Sequence, residues 1–130
     1  MALPEIAVAY FQHLSAGRFV DAAQCFSADG FYSHPAYDPE GSGPTSQRME
    51  AHGRDGIEAI FHARGVRDWV HDSRADTVGD RFYVEGQVTT GAGEELLSYL
   101  AVGQLDDEGL IGSYIAYDAR PPVGRQGALA

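Results

Sequence analysis

Three segments in the first half of the chain carry apolar residues at helical spacing. In Leu3–Ser15 the apolar positions are 3, 6, 7, 10, 11 and 14, which predicts a helix that ends before Gly17. Phe19–Phe26 predicts a second, short helix, and Gly53–Ala63 predicts a third with its apolar residues on one side. The N-terminal half is therefore expected to be mainly helical.

After the third helix the apolar residues recur with a period of two, which predicts strands. Val66–Val78 alternates unevenly, and Phe82–Thr89 has one apolar face. Leu96–Leu105 and Leu110–Tyr117 complete an antiparallel meander. An earlier short strand, Phe31–His34, precedes Pro35. Helices separated from a run of antiparallel strands predict an α+β fold, with the helices packed on one face of a sheet.

The last two predicted strands are apolar on both faces. Leu97, Tyr99 and Ala101 alternate with Leu96, Leu100 and Val102. Helices can cover only one side of a sheet, so the other side needs a partner surface. The economical prediction is a homodimer formed through the sheet.

Two segments lack this patterning. Residues 35–52 are rich in Pro, Gly and Ser and predict a long loop, which in a compact domain is usually a functional cover or a mobile segment. Met49 lies within this loop and is expected to anchor it as a lid. Residues 1–119 are predicted to form a single domain, and residues 120–130 a frayed, flexible tail.

The charge of the chain limits the classes of partner that it is expected to bind. The chain has 130 residues and a net charge of −10, and all its basic residues are arginine. Such a chain should repel nucleic acid and anionic membranes. It also disfavours a highly anionic substrate, unless a local arginine pocket overrides the net charge. One cysteine, no long apolar run and no basic leader favour a cytoplasmic protein.

The order of motifs resembles a known group of proteins. The opening YFQHLSAGRFVDAAQCFSADGFYSHP is similar to the start of the SnoaL-like and ketosteroid isomerase-like proteins of the nuclear transport factor 2-like superfamily. GRDGIEAIFHARG resembles their third helix, and LDDEGLIGSYIAYD resembles their final hairpin. The resemblance implies a cone: a curved, mixed but mostly antiparallel sheet around an apolar pocket, with the three helices on its concave face.

The resemblance also implies roles for individual residues. Ketosteroid isomerases place a general-base aspartate directly before the proline, where this chain has His34, and an oxyanion tyrosine near the position of Tyr10. Their second oxyanion donor aligns with Ala101, which argues against steroid isomerisation. SnoaL-type cyclases and limonene-type epoxide hydrolases carry an acid/base aspartate near the end of the last strand, which matches Asp118.

The residues themselves suit such chemistry. An imidazole such as that of His34 can take or give a proton near neutral pH. Asp118 is in phase with Tyr114 and Ala116, and a carboxylate in an apolar pocket is more easily protonated because desolvation disfavours its charge. Each residue also has an alternative without a function. His34 would be a strand-end histidine bonded to backbone or water, Asp118 a surface aspartate or one in a salt bridge to Arg120, and Tyr10 an ordinary core tyrosine.

Aromatic side chains are predicted to line the pocket, although core packing is an alternative for each. No metal-binding spacing and no phosphate-binding loop is present, so neither a metal nor a cofactor is expected. The predicted ligand-binding residues are Tyr32, Met49, Phe61, Trp69, Tyr99, Tyr114 and His13.

Three functions remain open. The leading hypothesis is an enzyme that transfers a proton on a small apolar or polycyclic molecule, by isomerisation, cyclisation, dehydration or epoxide opening. His34 would be the base or acid, Asp118 its complement and Tyr10 an oxyanion donor. The alternatives are a ligand-binding module without catalysis and a protein-interaction adaptor. An adaptor needs no titratable pair in its cavity.

Overall fold

A computed structural model describes residues 3–36 and 48–123. Within these ranges the chain forms three helices and six strands. The helices are α1 (Glu5–Ser15), α2 (Phe19–Gln24) and α3 (Arg54–Arg64), and the strands are β1 (Phe26–Pro35), β2 (Arg48–His52), β3 (Trp69–Val78), β4 (Arg81–Thr90), β5 (Glu95–Leu105) and β6 (Ile111–Ala119). No helix in the described ranges is long and apolar enough to cross a membrane.

The strands form one curved, unclosed sheet in the order β2-β1-β6-β5-β4-β3. Every neighbouring pair is antiparallel except β1 and β6, which run parallel. The parallel pair joins the helical half of the chain to the meander. This architecture confirms the predicted α+β class and its mostly antiparallel, cone-like sheet.

An aromatic cluster joins the helices to the concave face of the sheet. The ring of Tyr10 on α1 lies 5.3 Å from Phe26 and 5.3 Å from Tyr114, each edge to face. Phe61 on α3 meets Tyr32 on β1 at 5.2 Å, also edge to face. Such offset and edge contacts are favourable geometries for aromatic rings. The cluster fixes the inward faces of α1, α3, β1 and β6 relative to one another.

The register of the sheet brings chemically active side chains into one transverse row. Ser73 pairs with Gly86, Gly86 with Tyr99, and Tyr99 with Asp118. Directly paired residues of neighbouring strands project to the same face. Because Gly86 has no side chain, the hydroxyls of Ser73 and Tyr99 can meet and form a hydrogen bond across it.

Two predicted boundaries were wrong. Part of the predicted loop is strand β2, which pairs antiparallel with β1 from Phe31↔His52 to Pro35↔Arg48. This edge strand alternates only two apolar residues, Met49 and Ala51, with the polar residues Arg48, Glu50 and His52, and so short an alternation did not reveal it. Residues 37–47 lie outside the described residues. The predicted second helix ends at Gln24, and β1 begins at Phe26, earlier than the sequence suggested.

Candidate functional site

A cavity of about 390 Å³ lies against the concave face of the sheet. Its volume is within the range of roughly 300–1,000 Å³ typical of small-molecule sites. Its wall is formed by α1, the last residue of α3, and the inner faces of β1 and β3–β6. Apolar and aromatic side chains dominate the wall, and a few polar groups interrupt it. This combination is typical of a ligand site.

His34 lies next to the last residue of β1 and lines the cavity. Its ring stacks at 5.9 Å on that of Tyr32, with 6° between the planes. Nδ1 is 2.7 Å from the carbonyl oxygen of Pro35. A carbonyl oxygen only accepts hydrogen bonds, so this contact assigns the proton to Nδ1 and makes Nε2 the basic nitrogen. Ser33 faces the opposite side of the sheet and donates to Glu50.

The surroundings of His34 favour the neutral ring. Burial lowers the pKa of His34 from 6.5 to about 4. The hydrogen bond to Pro35 and the charge of Asp118 raise the pKa, whereas the charges of Arg64 and Arg48 lower it further. Desolvation disfavours the charged imidazolium, and the nearby arginines repel it. At neutral pH the side chain is therefore a base and not an acid.

The lowered pKa of His34 makes the free energy of unfolding depend on pH. As the pH falls, the unfolded chain takes up this proton near pH 6.5, whereas the folded protein takes it up only near pH 4. The contribution to stability is therefore complete above pH 6.5 and is lost progressively towards pH 4. We expect His34→Gln, which cannot titrate, to lose about 2 kcal/mol less on acidification than the wild type. Urea unfolding at about pH 7.5 and about pH 4.5 measures both losses, and equal losses would contradict this expectation.

Tyr10 and Tyr32 bring two buried phenols to the cavity wall. The Tyr10 hydroxyl donates to the Tyr32 hydroxyl at 3.4 Å, longer than the usual distance of about 2.8 Å between two hydroxyl oxygens. The ring of Tyr32 also stacks on Tyr114 at 5.6 Å. Two phenol hydroxyls therefore lie next to each other in this part of the wall.

Asp118 also lines the cavity, but its carboxylate is paired. Oδ2 accepts a hydrogen bond from Nε of Arg120 at 2.8 Å, with the Asp118 side chain 17% exposed. Nη2 of Arg120 also donates to the carbonyl of Ala36. The salt bridge that the sequence offered as an alternative is thus present. This pairing fixes the orientation of the carboxylate.

The other predicted binding residues divide into two groups. Tyr32, Trp69, Tyr99 and Tyr114 line the cavity. Three others are not among the described residues that line it. Phe61 is fully buried in the aromatic cluster. Met49 is half-buried on β2, where it is the direct strand partner of His34. Nδ1 of His13 accepts a hydrogen bond from Arg18.

Arg64 is a cavity residue that the sequence prediction missed. It is only 7% exposed, its Nη1 donates to the carbonyl of Gly65 at 2.9 Å, and its guanidinium lies 5.4 Å from the centre of the Trp69 ring. Its spacing from Ile57 and Phe61 places it on the buried face of α3. That helical phase was the available signal, but a charged residue was not expected on a core-facing position.

His71 and Ser73 were also missed, and both line the cavity. They alternate along β3 in phase with Trp69, so their inward direction was readable from the strand period. The His71 ring meets Tyr99 edge to face at 5.8 Å. Burial, and then the charge of Arg64, lower the pKa of His71. Burial also raises the pKa of Tyr99, so its phenol stays protonated.

A metal centre finds no support in the part of the chain that the structure describes, where no group of three or more His, Cys, Asp or Glu could hold an ion. The chemistry available is that of a neutral imidazole, phenols and an ion pair within a mostly apolar wall.

Comparison with solved structures places the architecture among known folds. A nuclear transport factor 2-like protein of unknown function from Burkholderia xenovorans LB400 superposes with a TM-score of 0.66 at 16% identity, covering 92% of this chain and 84% of that one. The fold is that of the nuclear transport factor 2-like proteins. No family model matches the sequence, and no curated protein does.

Two further structures with this fold carry names that suggest chemistry. A protein from Kribbella flavida DSM 17836 proposed to be a ketosteroid isomerase has a TM-score of 0.65 at 21% identity, covering 98% of this chain and 87% of that one. The epoxide hydrolase/cyclase-like enzyme SalBIII, described in pyran ring formation in the polyether salinomycin, has a TM-score of 0.63 at 16% identity, covering 89% of each chain. At these identities the likeness establishes the fold.

Proposed function

We propose that the cavity is the active site of a SnoaL-like enzyme that transfers a proton on a largely apolar small molecule. The observation that carries this proposal is the position of the His34 ring in the wall of a mostly apolar cavity, with its Nδ1 hydrogen-bonded to the carbonyl oxygen of Pro35 and its pKa lowered by burial. A base that remains unprotonated at neutral pH can accept a proton without first losing one. Isomerisation, cyclisation, dehydration and epoxide opening all need such a step.

The neighbouring groups would support the step. Once His34 removes a proton from carbon, negative charge develops on a conjugated oxygen of the substrate, and the hydroxyls of Tyr10 and Tyr32 are suited to donate to it. Asp118 lies close enough for its charge to favour the imidazolium that forms. Ala101 is fully buried and pairs with Ala116 on β6. It offers no second side-chain donor, which disfavours a steroid isomerase mechanism.

A ligand-binding role without turnover is the second candidate, and one observation favours it. The carboxylate of Asp118 is held by Arg120, so it is suited to orienting a ligand and less suited to delivering a proton. In this case the cavity would bind the same class of molecule, and His34 would accept a hydrogen bond instead of a proton.

Hydrogen–deuterium exchange separates the two candidates. Proton abstraction from carbon in D₂O replaces the C–H hydrogens next to a carbonyl with deuterium, even when no net product forms. We would incubate the protein with cyclic ketones and enones, such as 2-tetralone and cyclohex-2-enone, and follow these signals by proton NMR. Protein-dependent exchange supports the enzyme. Saturable binding across the panel with no exchange above the buffer rate supports the binder.

We further propose that the protein forms a homodimer through the convex face of the sheet. Leu100 and Tyr117 are directly paired there and are 43% and 52% exposed. Adjacent exposed apolar side chains on a sheet face favour a self-complementary interface.

The dimer makes a direct prediction about mass in solution. The wild type should run at twice the chain mass of 14.0 kDa, and Leu100→Glu should run as a monomer because it places a charge in the interface. Val20→Glu is the matched control, since Val20 on α2 is 52% exposed and away from the sheet. Size-exclusion chromatography with light scattering measures the masses. A monomeric wild type, or a dimer that survives Leu100→Glu, would overturn the interface.

A further inference from the structure

We propose that the hydroxyls of Ser73 and Tyr99, here called the hydroxyl pair, bind a neutral oxygen of the ligand. The ligand would then be a largely apolar molecule with an oxygen at each end, one near His34 and one at the hydroxyl pair. The position of the first oxygen rests on the function proposed above, whereas binding at the hydroxyl pair does not depend on turnover.

The sheet holds the hydroxyl pair in place. Ser73 on β3 and Tyr99 on β5 are both direct strand partners of Gly86 on β4, which lies between them. A Cβ at position 86 would lie 2.8 Å from the Cα of Ser73 and would also meet the carbonyl oxygen of Asp72, so β3 approaches β4 too closely here for any residue but glycine. The two hydroxyls are hydrogen-bonded to each other. The ring of His71 packs edge to face against Tyr99 at 5.8 Å, which orients the phenol.

A ligand oxygen can join the hydroxyl pair without breaking it. Each hydroxyl has one hydrogen to donate and two lone pairs that accept. The bond between Ser73 and Tyr99 uses one of the two hydrogens, so the second O–H can donate to a ligand oxygen and the remaining lone pairs can accept from it. A few polar groups in an apolar wall fix the orientation of a ligand. The cavity residues that flank the hydroxyl pair on β3, β4 and β5 include the apolar residues Ala75, Val84, Val88 and Leu97.

The electrostatics of the hydroxyl pair favour a neutral oxygen over an anion. Burial raises the pKa of Tyr99, the bond to Ser73 lowers it, and the charge of Asp72 raises it. The phenol therefore stays protonated at neutral pH and can donate a hydrogen bond. The negative charge of Asp72 acts at the same place and opposes a carboxylate there. A hydroxyl, ketone or ether oxygen is the matching group.

The register of the sheet sets the distance between the two ends of the ligand. His34 on β1 is level with Ala101 on β5, with β6 between them, and Tyr99 is two residues further along β5. With about 4.8 Å between strands and about 3.4 Å between residues, the backbones at His34 and Tyr99 are about 12 Å apart. Both side chains line the cavity, so a fused two-ring body fits between them.

Two ketones, 6-hydroxy-2-tetralone and 2-tetralone, test the hydroxyl pair because they differ only in a hydroxyl remote from the carbonyl. Titration calorimetry gives the dissociation constant of each. We expect the wild type to bind the hydroxylated ketone about 3- to 10-fold more tightly, the range of a neutral hydrogen bond. Tyr99→Phe, which keeps the ring, should reduce this preference to less than about twofold. A general loosening of the cavity would weaken both ketones alike and leave their ratio unchanged.

Ser73→Ala is the second variant, and it keeps the test valid if the phenylalanine variant does not fold. It should reduce the preference in part, because Tyr99 can still donate. Tyr83→Phe is the matched control. Tyr83 lies on β4 and alternates with inward-facing Phe82 and Val84, and it is not among the described residues that line the cavity. This variant should keep the full preference.

The outcomes separate this inference from the proposed function. The hydroxyl pair would be overturned as a binding site by equal affinities in the wild type, by no measurable binding of the hydroxylated ketone, or by an unchanged preference in folded Tyr99→Phe or Ser73→Ala. A preference without hydrogen–deuterium exchange rejects the enzyme alone. Exchange without a preference rejects the hydroxyl pair alone.

Discussion

His34→Gln is expected to lower the rate of hydrogen–deuterium exchange on a responsive ketone by about 10²- to 10⁴-fold, the usual contribution of a positioned general base. Glutamine has a similar length and can still form hydrogen bonds, but it cannot accept a proton at neutral pH. The dissociation constant of the ketone should change by less than about threefold, because the apolar wall and the phenols remain. The loss should therefore be in the rate constant and not in binding.

The matched control for this substitution is His62→Gln. His62 lies on α3 with its side chain 56% exposed and bonded to Glu58. The His62→Gln variant should therefore exchange the hydrogens of the ketone at the wild-type rate. Wild-type exchange should also stay constant from about pH 8 to about pH 5 and fall only as His34 becomes protonated. Unchanged exchange in His34→Gln would remove this residue from the mechanism.

Gly103→Ala is expected to destabilise the protein by about 3 kcal/mol, at the upper end of the usual cost of overpacking a core. Gly103 on β5 pairs directly with Phe82 on β4, and the Phe82 ring occupies the space that a Cβ at position 103 would need. The ring is fully buried and packs against Tyr114, so it cannot withdraw without disturbing the cavity wall. Urea unfolding at neutral pH measures the change.

A second substitution identifies the cause of this loss. Phe82→Leu removes part of the ring, so the double variant should be more stable than the sum of the two single losses implies. Gly112→Ala on β6 is the control, because a Cβ there would meet its nearest neighbour, the carbonyl oxygen of Gln104, at an ordinary 3.4 Å. Strictly additive losses, or an equal loss in Gly112→Ala, would show that the Phe82 contact is not the reason.

The spacing of apolar residues along the chain was sufficient to predict most of the helices and strands. The helical spacing of Tyr10 and Leu14, and the alternation along β4 to β6, follow directly from burial on one face of each element. Strand β2 was not predicted in this way. Its alternation spans only five residues, with Met49 and Ala51 half-buried between exposed polar residues, so its pairing with β1 is the clearer sign of a strand.

The site was harder to predict because it depends on how separate elements meet. Strand phase placed Asp118 on the cavity side, the family resemblance placed His34 there, and proline explained why β1 stops where it does. Whether Asp118 meets solvent or Arg120 depends on how the chain continues after β6, which phase does not reveal. Arg64 was overlooked because a charged residue at a buried helical position contradicts the usual preference for apolar residues.

NMR titration of the His34 ring tests, without a substrate, whether His34 is a neutral base in the cavity wall. The resonances of His34 can be assigned by their loss in His34→Gln. We expect a titration midpoint near pH 4, with the proton on Nδ1 of the neutral ring. A midpoint at or above pH 6.5, or a neutral ring protonated on Nε2, would contradict it.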